Sequence, residues 1–173
     1  ELCLHLAANM LYLAQKGSLE ACLSMAEQAL VSGEAFGKFK EMVEAQGGDS
    51  SFLDSPEKFE KAAVSVEVRS ERDGILFSMN TEKCGIASVL LGAGRETKDS
   101  AIDYSAGIVL HKKVGDTVRA GDTLATLFAD SEDKCLEAEQ VFQQAVTIGE
   151  SMPKELPLIQ ARITKDGVEL AKE

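Results

Sequence analysis

Basic residues, histidine and long apolar runs are what this 173-residue chain has least of, and each shortage closes off a class of function. Lys+Arg number 18 against 29 Asp+Glu, a net charge of −11. Such a field repels phosphate backbones and anionic membranes, so no nucleic-acid or membrane partner is expected. No apolar run approaches the ~18 residues that a spanning helix needs, and no signal peptide is visible. The four cysteines, Cys3, Cys22, Cys84 and Cys135, are scattered with no CxxC and no Cys/His ligand spacing. That pattern predicts reduced thiols in a cytoplasmic protein, not a disulfide framework or a zinc site. Only two histidines occur, His5 in an apolar helical pattern and His111 beside Lys112-Lys113. Neither has a sequence-evident partner, and Ser, His and Asp show no nucleophile elbow or triad spacing.

What is present is a globular chain, 45% hydrophobic, long enough to bury ~70% of its unfolded surface. Its most informative stretch is Gly107–Phe128, GIVLHKKVGDTVRAGDTLATLF. Two apolar runs flank Gly115-Asp116 and Gly121-Asp122, which recur six residues apart. Glycine supplies positive φ and aspartate hydrogen-bonds its local backbone, so each pair marks a tight bend. The expected unit is strand, turn, short strand, turn, strand, a folded-over ribbon of the hammerhead or barrel-sandwich kind.

The chain begins at Glu1 directly on a helical pattern, as though continuing something longer. Leu2, Leu4, Leu6, Met10, Leu11 and Leu13 cover much of the circumference of a first helix, which suits packing on more than one side. Gly17 ends it and Ser18 caps a second helix that buries Leu19, Cys22, Leu23, Ala26, Ala29 and Leu30. A third helix, Glu34 to Gln46, turns Phe36, Phe39, Met42 and Val43 inward and closes at Gly47-Gly48. The loop GGDSS (47–51) reads as a helix cap and turn cluster, and Pro56 lies in a linker. From Val64 the period changes: Val64, Val66 and Val68 alternate as a strand, and Asp73-Gly74 bends the chain into Ile75-Leu76-Phe77. Asn80 or Thr81 caps a short helix ended by Gly92. A helix from about Ser131 to Gly149 buries Cys135, Ala138, Val141, Phe142, Ala145 and Val146, and Leu158–Ile163 closes the same sheet. The fold class expected is α+β.

Two motifs invite chemistry. GAGRETK (92–98) has the glycines of a phosphate cradle, but a P-loop needs GxxxxGK[ST] between a strand and a helix, whereas these glycines follow a helix. Glycine capping, with Arg95 available to a carboxylate, is expected instead. Lipoyl and biotinyl domains carry GD-V-GD-L strings like this ribbon, with the cofactor lysine at a hairpin tip. Lys134 stands ten residues beyond Leu124 instead of seven and enters a helical pattern, so a carrier domain is the alternative reading, beside a stand-alone interaction module.

The combination of QGGDSS (46–51), VLLGAGRETKDSAID (89–103) and AGIVLHKKVGDTVRAGDTLATLF (106–128) resembles the C-terminal part of the pyrimidine-nucleoside phosphorylase and thymidine phosphorylase family. That resemblance implies phosphorolysis of uridine or thymidine to free base and (deoxy)ribose-1-phosphate, usually by a homodimer. Inorganic phosphate is then the co-substrate, and a monovalent cation is bound upstream. The family's phosphate loop, base-binding set and metal site all fall upstream of the matched region. The resemblance therefore implies no catalytic, substrate-binding, phosphate-binding or metal residue and no cofactor in this stretch. It divides the chain into a three-helix segment of the central α/β domain (1–46), a linker (47–63) and an α/β-hammerhead C-terminal domain (64–173).

Overall fold

The structure is a computed structural model that describes residues 1–95, 97–154 and 157–170. The chain forms two compact units: 1–58 together with 157–170, and 59–154. Helices and strands both contribute, so the α+β class holds. No helix among the described residues is long and apolar enough to cross a membrane.

In the first unit, α1 (Leu2–Leu13), α2 (Leu19–Val31) and α3 (Glu34–Ala45) follow the expected order. Ser18 caps α2 as predicted, its Oγ accepting the Ala21 N–H at 3.2 Å. Gly33, with φ 82°, separates α2 from α3. Gly47, also at φ 82°, and Gly48 close α3, donating to the Glu44 and Val43 carbonyls at 2.9 Å each. Ala8 and Cys22 are buried. The inward face predicted for α3 is a correction: Phe36, Phe39 and Met42 are exposed, and so is Leu30 of α2. Helical spacing reports that a face is apolar, and what covers the face is a separate matter. A one-turn α4 (Ser51–Asp54) and a 3-10 turn at Pro56–Lys58 follow.

The second unit holds two three-stranded sheets. β1 (Val64–Arg69), β3 (Gly107–Leu110) and β5 (Thr123–Ala129) form one, in the order β1-β5-β3; β2 (Gly74–Met79), β4 (Thr117–Val118) and β6 (Val146–Gly149) form the other, in the order β4-β2-β6. Every pairing is antiparallel, and Val66 faces Leu127 while Ile108 faces the same Leu127 from the other side. The Asp73-Gly74 bend thus carries the chain from one sheet to the other instead of folding β2 back on β1. α5 (Thr81–Ser88), capped by Asn80 Oδ1 on the Lys83 N–H at 3.0 Å, widens into a π-type turn, Val89–Ala93, where Gly92 has φ 106°. α6 (Glu132–Ala145) covers the core with Cys135, Ala138, Phe142 and Ala145, all buried against Val68, Leu91 and Leu127.

Two element boundaries differ from expectation. The helix predicted to run to Gly149 stops at Ala145, and Val146–Gly149 pairs with β2. Its Val-Thr-Ile sequence is β-branched, and an open sheet edge outweighs further helical turns. The closing strand, β7 (Ala161–Thr164), is not in either three-stranded sheet. It pairs with β8 (Gly167–Leu170) in a separate hairpin that belongs to the unit of α1–α3, whereas the expected C-terminal domain ran through to 173.

Candidate functional site

The residues singled out by sequence converge on the loop that links α5 to β3. Gly92 ends its helix in the left-handed region, and its carbonyl accepts the Asp103 N–H at 2.9 Å. A Cβ at Gly92 would lie 3.4 Å from Asp103 Cβ and 3.8 Å from Lys134 Nζ. Asp103 Oδ1 takes the Ser105 N–H at 2.9 Å and its hydroxyl at 2.6 Å. These Ser105 bonds hold the Asp103 carboxyl below its ordinary range, against desolvation and the like charge of Asp130, which both push it up. Lys134 Nζ donates to Asp130 Oδ2 at 2.8 Å, four residues back, and depresses the Asp130 carboxyl in turn. Lys134 lies in the first turn of α6, so it is not the tip of a hairpin. Among the described residues these are short-range bonds gathered around a glycine cap.

The GD ribbon is built from one device used twice. In Lys113–Asp116 and Arg119–Asp122, the aspartate N–H donates to the carbonyl three residues back, at 3.0 and 2.9 Å. Its carboxylate Oδ2 accepts the N–H of that same residue, at 2.6 and 3.1 Å. Gly115 and Gly121, at φ 98° and 91°, occupy the third position of each turn, where a type II bend requires positive φ. The corners place β4 in one sheet and β3 and β5 in the other. Asp73 Oδ1 ties the second corner to the β1–β2 bend by accepting the Ala120 N–H at 2.8 Å.

The remaining candidates also have local partners. In GGDSS, Asp49 Oδ1 accepts the Ser51 N–H at 2.9 Å at the start of α4, and bonding to Ser51 lowers the Asp49 carboxyl. His111 Nε2 meets Thr126 Oγ1 at 2.8 Å across β3 and β5, and His5 contributes its carbonyl to the Asn9 side chain at 2.8 Å. They lie in different units. All four cysteines are free thiols; burial pushes Cys84 and Cys135 up, the latter helped by Asp130, Glu132 and Glu139. Among the described residues no group of three His, Cys, Asp or Glu is placed to hold a metal ion.

One arrangement escaped the sequence. Arg162 of β7 donates through Nε to Asn9 Oδ1 at 3.0 Å, lies over the Tyr12 ring at 5.2 Å from its centroid, and pairs with Glu169 at 3.3 Å. Its only sequence signal is a charge between apolar neighbours in Ala161-Arg162-Ile163.

With this geometry in place, comparison with known proteins identifies the class. Residues 75–149, from β2 through β6, match the family described as pyrimidine nucleoside phosphorylase C-terminal domain. The chain belongs to the pyrimidine-nucleoside phosphorylase family through this C-terminal portion. Among its relatives, a pyrimidine-nucleoside phosphorylase of Geobacillus stearothermophilus is 44% identical over 133 residues, covering 76% of this chain and 31% of the relative. That of Bacillus subtilis (strain 168) is 41% identical over 134 residues, 77% and 31%. That of Staphylococcus haemolyticus (strain JCSC1435) is 38% identical over 154 residues, 85% and 36%. The chain thus spans about a third of the length of the relatives it matches.

Proposed function

We propose that this chain is the C-terminal part of an enzyme that splits pyrimidine nucleosides with inorganic phosphate. In that reaction a phosphate oxygen bonds to the anomeric carbon as the bond from that carbon to the base nitrogen breaks. The electron pair leaves with the base, which takes up a proton, and (deoxy)ribose-1-phosphate remains. Such chemistry requires phosphate on one face of the sugar and a stabilised departing base on the other, with water excluded. The observation that carries the reading is the match of 75–149 to the family's C-terminal domain together with 38–44% identity to named phosphorylases.

The second unit is read as a hammerhead-like lobe, supported by a ribbon that turns two corners between two sheets under one helix. Its role in this reading is structural. The groups that could react are held by one another, Lys134 by Asp130 and Asp103 by Ser105, in bonds that fix loops. A rigid lobe lets domain closure act as a hinge. The substrates are uridine and thymidine, the location is cytoplasmic, and the intact protein is a homodimer whose mass in solution is readily checked. The test is phosphate-dependent release of uracil or thymine. The pure 173-residue chain gives none, and the protein that includes its upstream coding sequence gives turnover; release by the chain alone, or none by the longer protein, overturns the reading.

A further inference from the structure

Asp-Gly occurs twice in the chain, at Asp73-Gly74 and Asp166-Gly167, and Asn-Gly does not occur. In this dipeptide the glycine amide nitrogen can reach the aspartate carboxyl carbon across a five-membered ring, and no Cβ on the glycine obstructs it. The neighbours match as well: Arg72 and Ile75 flank one pair, Lys165 and Val168 the other. Sequence makes the two sites equal, and the fold separates them. Asp73 Oδ1 accepts the Ala120 N–H at 2.8 Å. Gly74 begins β2, the central strand of its sheet, pairs with Val118 of β4, and lies so near β6 that a Cβ would stand 2.5 Å from Ile148 Cγ2 and 2.7 Å from the Gly149 carbonyl oxygen. Asp166 is exposed in the two-residue turn Lys165-Asp166 that joins β7 to β8. Its N–H donates to Thr164 Oγ1 at 3.2 Å, and among the described residues nothing bonds to its carboxylate. A Cβ at Gly167 would meet nothing within 4 Å, so the space around that amide is open. Thr164 and Gly167 are the pair that closes the hairpin, and the turn has to open before the nitrogen can attack. A two-stranded ribbon opens at little cost, whereas freeing Gly74 requires β2 to leave two neighbours.

We propose that Asp166-Gly167 is a site of spontaneous isoaspartate formation and that the fold protects Asp73-Gly74 from the same reaction. The inference is independent of the catalytic reading above. The Gly167 amide nitrogen gives up its proton and bonds to Asp166 Cγ, whose carboxyl loses one oxygen as water. The succinimide so formed takes a water back. Addition at Cγ breaks the new bond and restores aspartate. Addition at the former main-chain carbonyl breaks the original bond to the Gly167 nitrogen, routes the chain through Cβ and leaves a free α-carboxylate. No oxidant, reductant or cofactor enters, and the composition is unchanged. The chain is then one methylene longer inside a two-residue turn, so Thr164 no longer meets Gly167 in register and the pairing of Arg162 with Glu169 behind it, at 3.3 Å, is lost. The new α-carboxylate is the group that an isoaspartate-specific carboxyl methyltransferase accepts.

The experiment keeps the 173-residue chain, and the protein that includes its upstream coding sequence, warm at neutral pH for several weeks. Electron-transfer fragmentation of the peptides distinguishes the two linkages at each site, and methyl transfer by an isoaspartyl methyltransferase counts the total. The expected result is isoaspartate accumulating at 166 at least tenfold faster than at 73 in both folded proteins, with the two rates within about threefold of each other in guanidinium. Asp166→Glu, whose ring would need six members, should remove most of the methyl acceptance while leaving the protein folded. The proposal is overturned by a folded ratio below about threefold in either protein, by no isoaspartate at 166, or by methyl acceptance that survives Asp166→Glu. A tenfold ratio that persists in guanidinium also overturns it, because the difference would then belong to the flanking residues and not to the fold.

Discussion

Replacing Gly74 by alanine separates a glycine needed for close packing from one needed only for its backbone. At Gly74 a Cβ would come within 2.5 Å of Ile148 Cγ2 and 2.7 Å of the Gly149 carbonyl oxygen, and φ is 154°. Both obstacles belong to β6, the neighbour of β2, so relief requires that a sheet pairing open. At Gly115 the backbone is also left-handed, φ 98°, but nothing lies within 4 Å of the added atom. The conformational cost is about 1–2 kcal/mol at either site, and overpacking adds about 1–3 kcal/mol at Gly74 alone. Gly74→Ala should therefore cost ~2–5 kcal/mol and Gly115→Ala ~1–2 kcal/mol. At roughly 1.5 kcal/mol per molar urea, the midpoints fall by about 1.5–3 M and about 1 M. The chain has no tryptophan, so the reporter is Cys135, fully buried in the core of the same unit. Its alkylation in rising urea, read by mass spectrometry, follows exposure of that core, and labelling of Gly74→Ala without urea counts as the extreme of the expected range. A Gly74→Ala midpoint equal to or above that of Gly115→Ala would refute the packing argument.

The two aspartate clasps make a matched pair of substitutions: Asp116→Ala and Asp122→Ala each remove a side-chain bond to a backbone N–H and should lower stability by about 1 kcal/mol. A loss in both is expected by the same thiol assay, with Asp122→Ala also giving up a 3.6 Å ion pair to Lys112, and no change in either variant would show that the carboxylates are dispensable. Asp103 has its carboxyl lowered below 3.8 by Ser105, so the folded state releases that proton more readily than the unfolded chain. Its contribution is complete above 3.8 and is lost as pH falls through the lower folded value. The Ser105 amide resonance should titrate with a midpoint below 3.8, and a midpoint at or above that value would contradict the clasp.

Local chemistry was legible in the sequence and long-range pairing was not. The Ser18 and Asn80 caps, the Gly33 and Gly92 stops and the two Gly-Asp corners are fixed within four or five residues and appear where composition placed them, as do Cys135, Ala138, Phe142 and Ala145 in the core, whereas Val141 is half-buried and Val146 is half-buried in β6. Val146–Gly149 was misread because alternation and helical spacing overlap over four residues, and the deciding partner, β2, lies some seventy positions earlier. The exposure of Phe36, Phe39 and Met42 was missed because an amphipathic pattern predicts a covered face even where the cover is another part of a protein. The fastening of Arg162 to α1 could not be read at all, since Asn9 and Tyr12 lie about 150 residues away. That no residue here carries chemistry is what the family resemblance implies; periodicity alone leaves a carrier domain open, and the placement of Lys134 within α6, bonded to Asp130, is not that of a hairpin tip.

The widened turn Val89–Ala93 bears on how this segment can change in length. An α-helix rotates about 100° per residue, and this one ends at Gly92, whose φ of 106° is not helical. Deleting a single residue there would swing Leu91 away from the core it fills, or carry the Gly92 carbonyl away from the Asp103 N–H it accepts. Insertions and deletions among natural variants should therefore collect at surface loops and spare this stretch, even where individual side chains in it are exchanged.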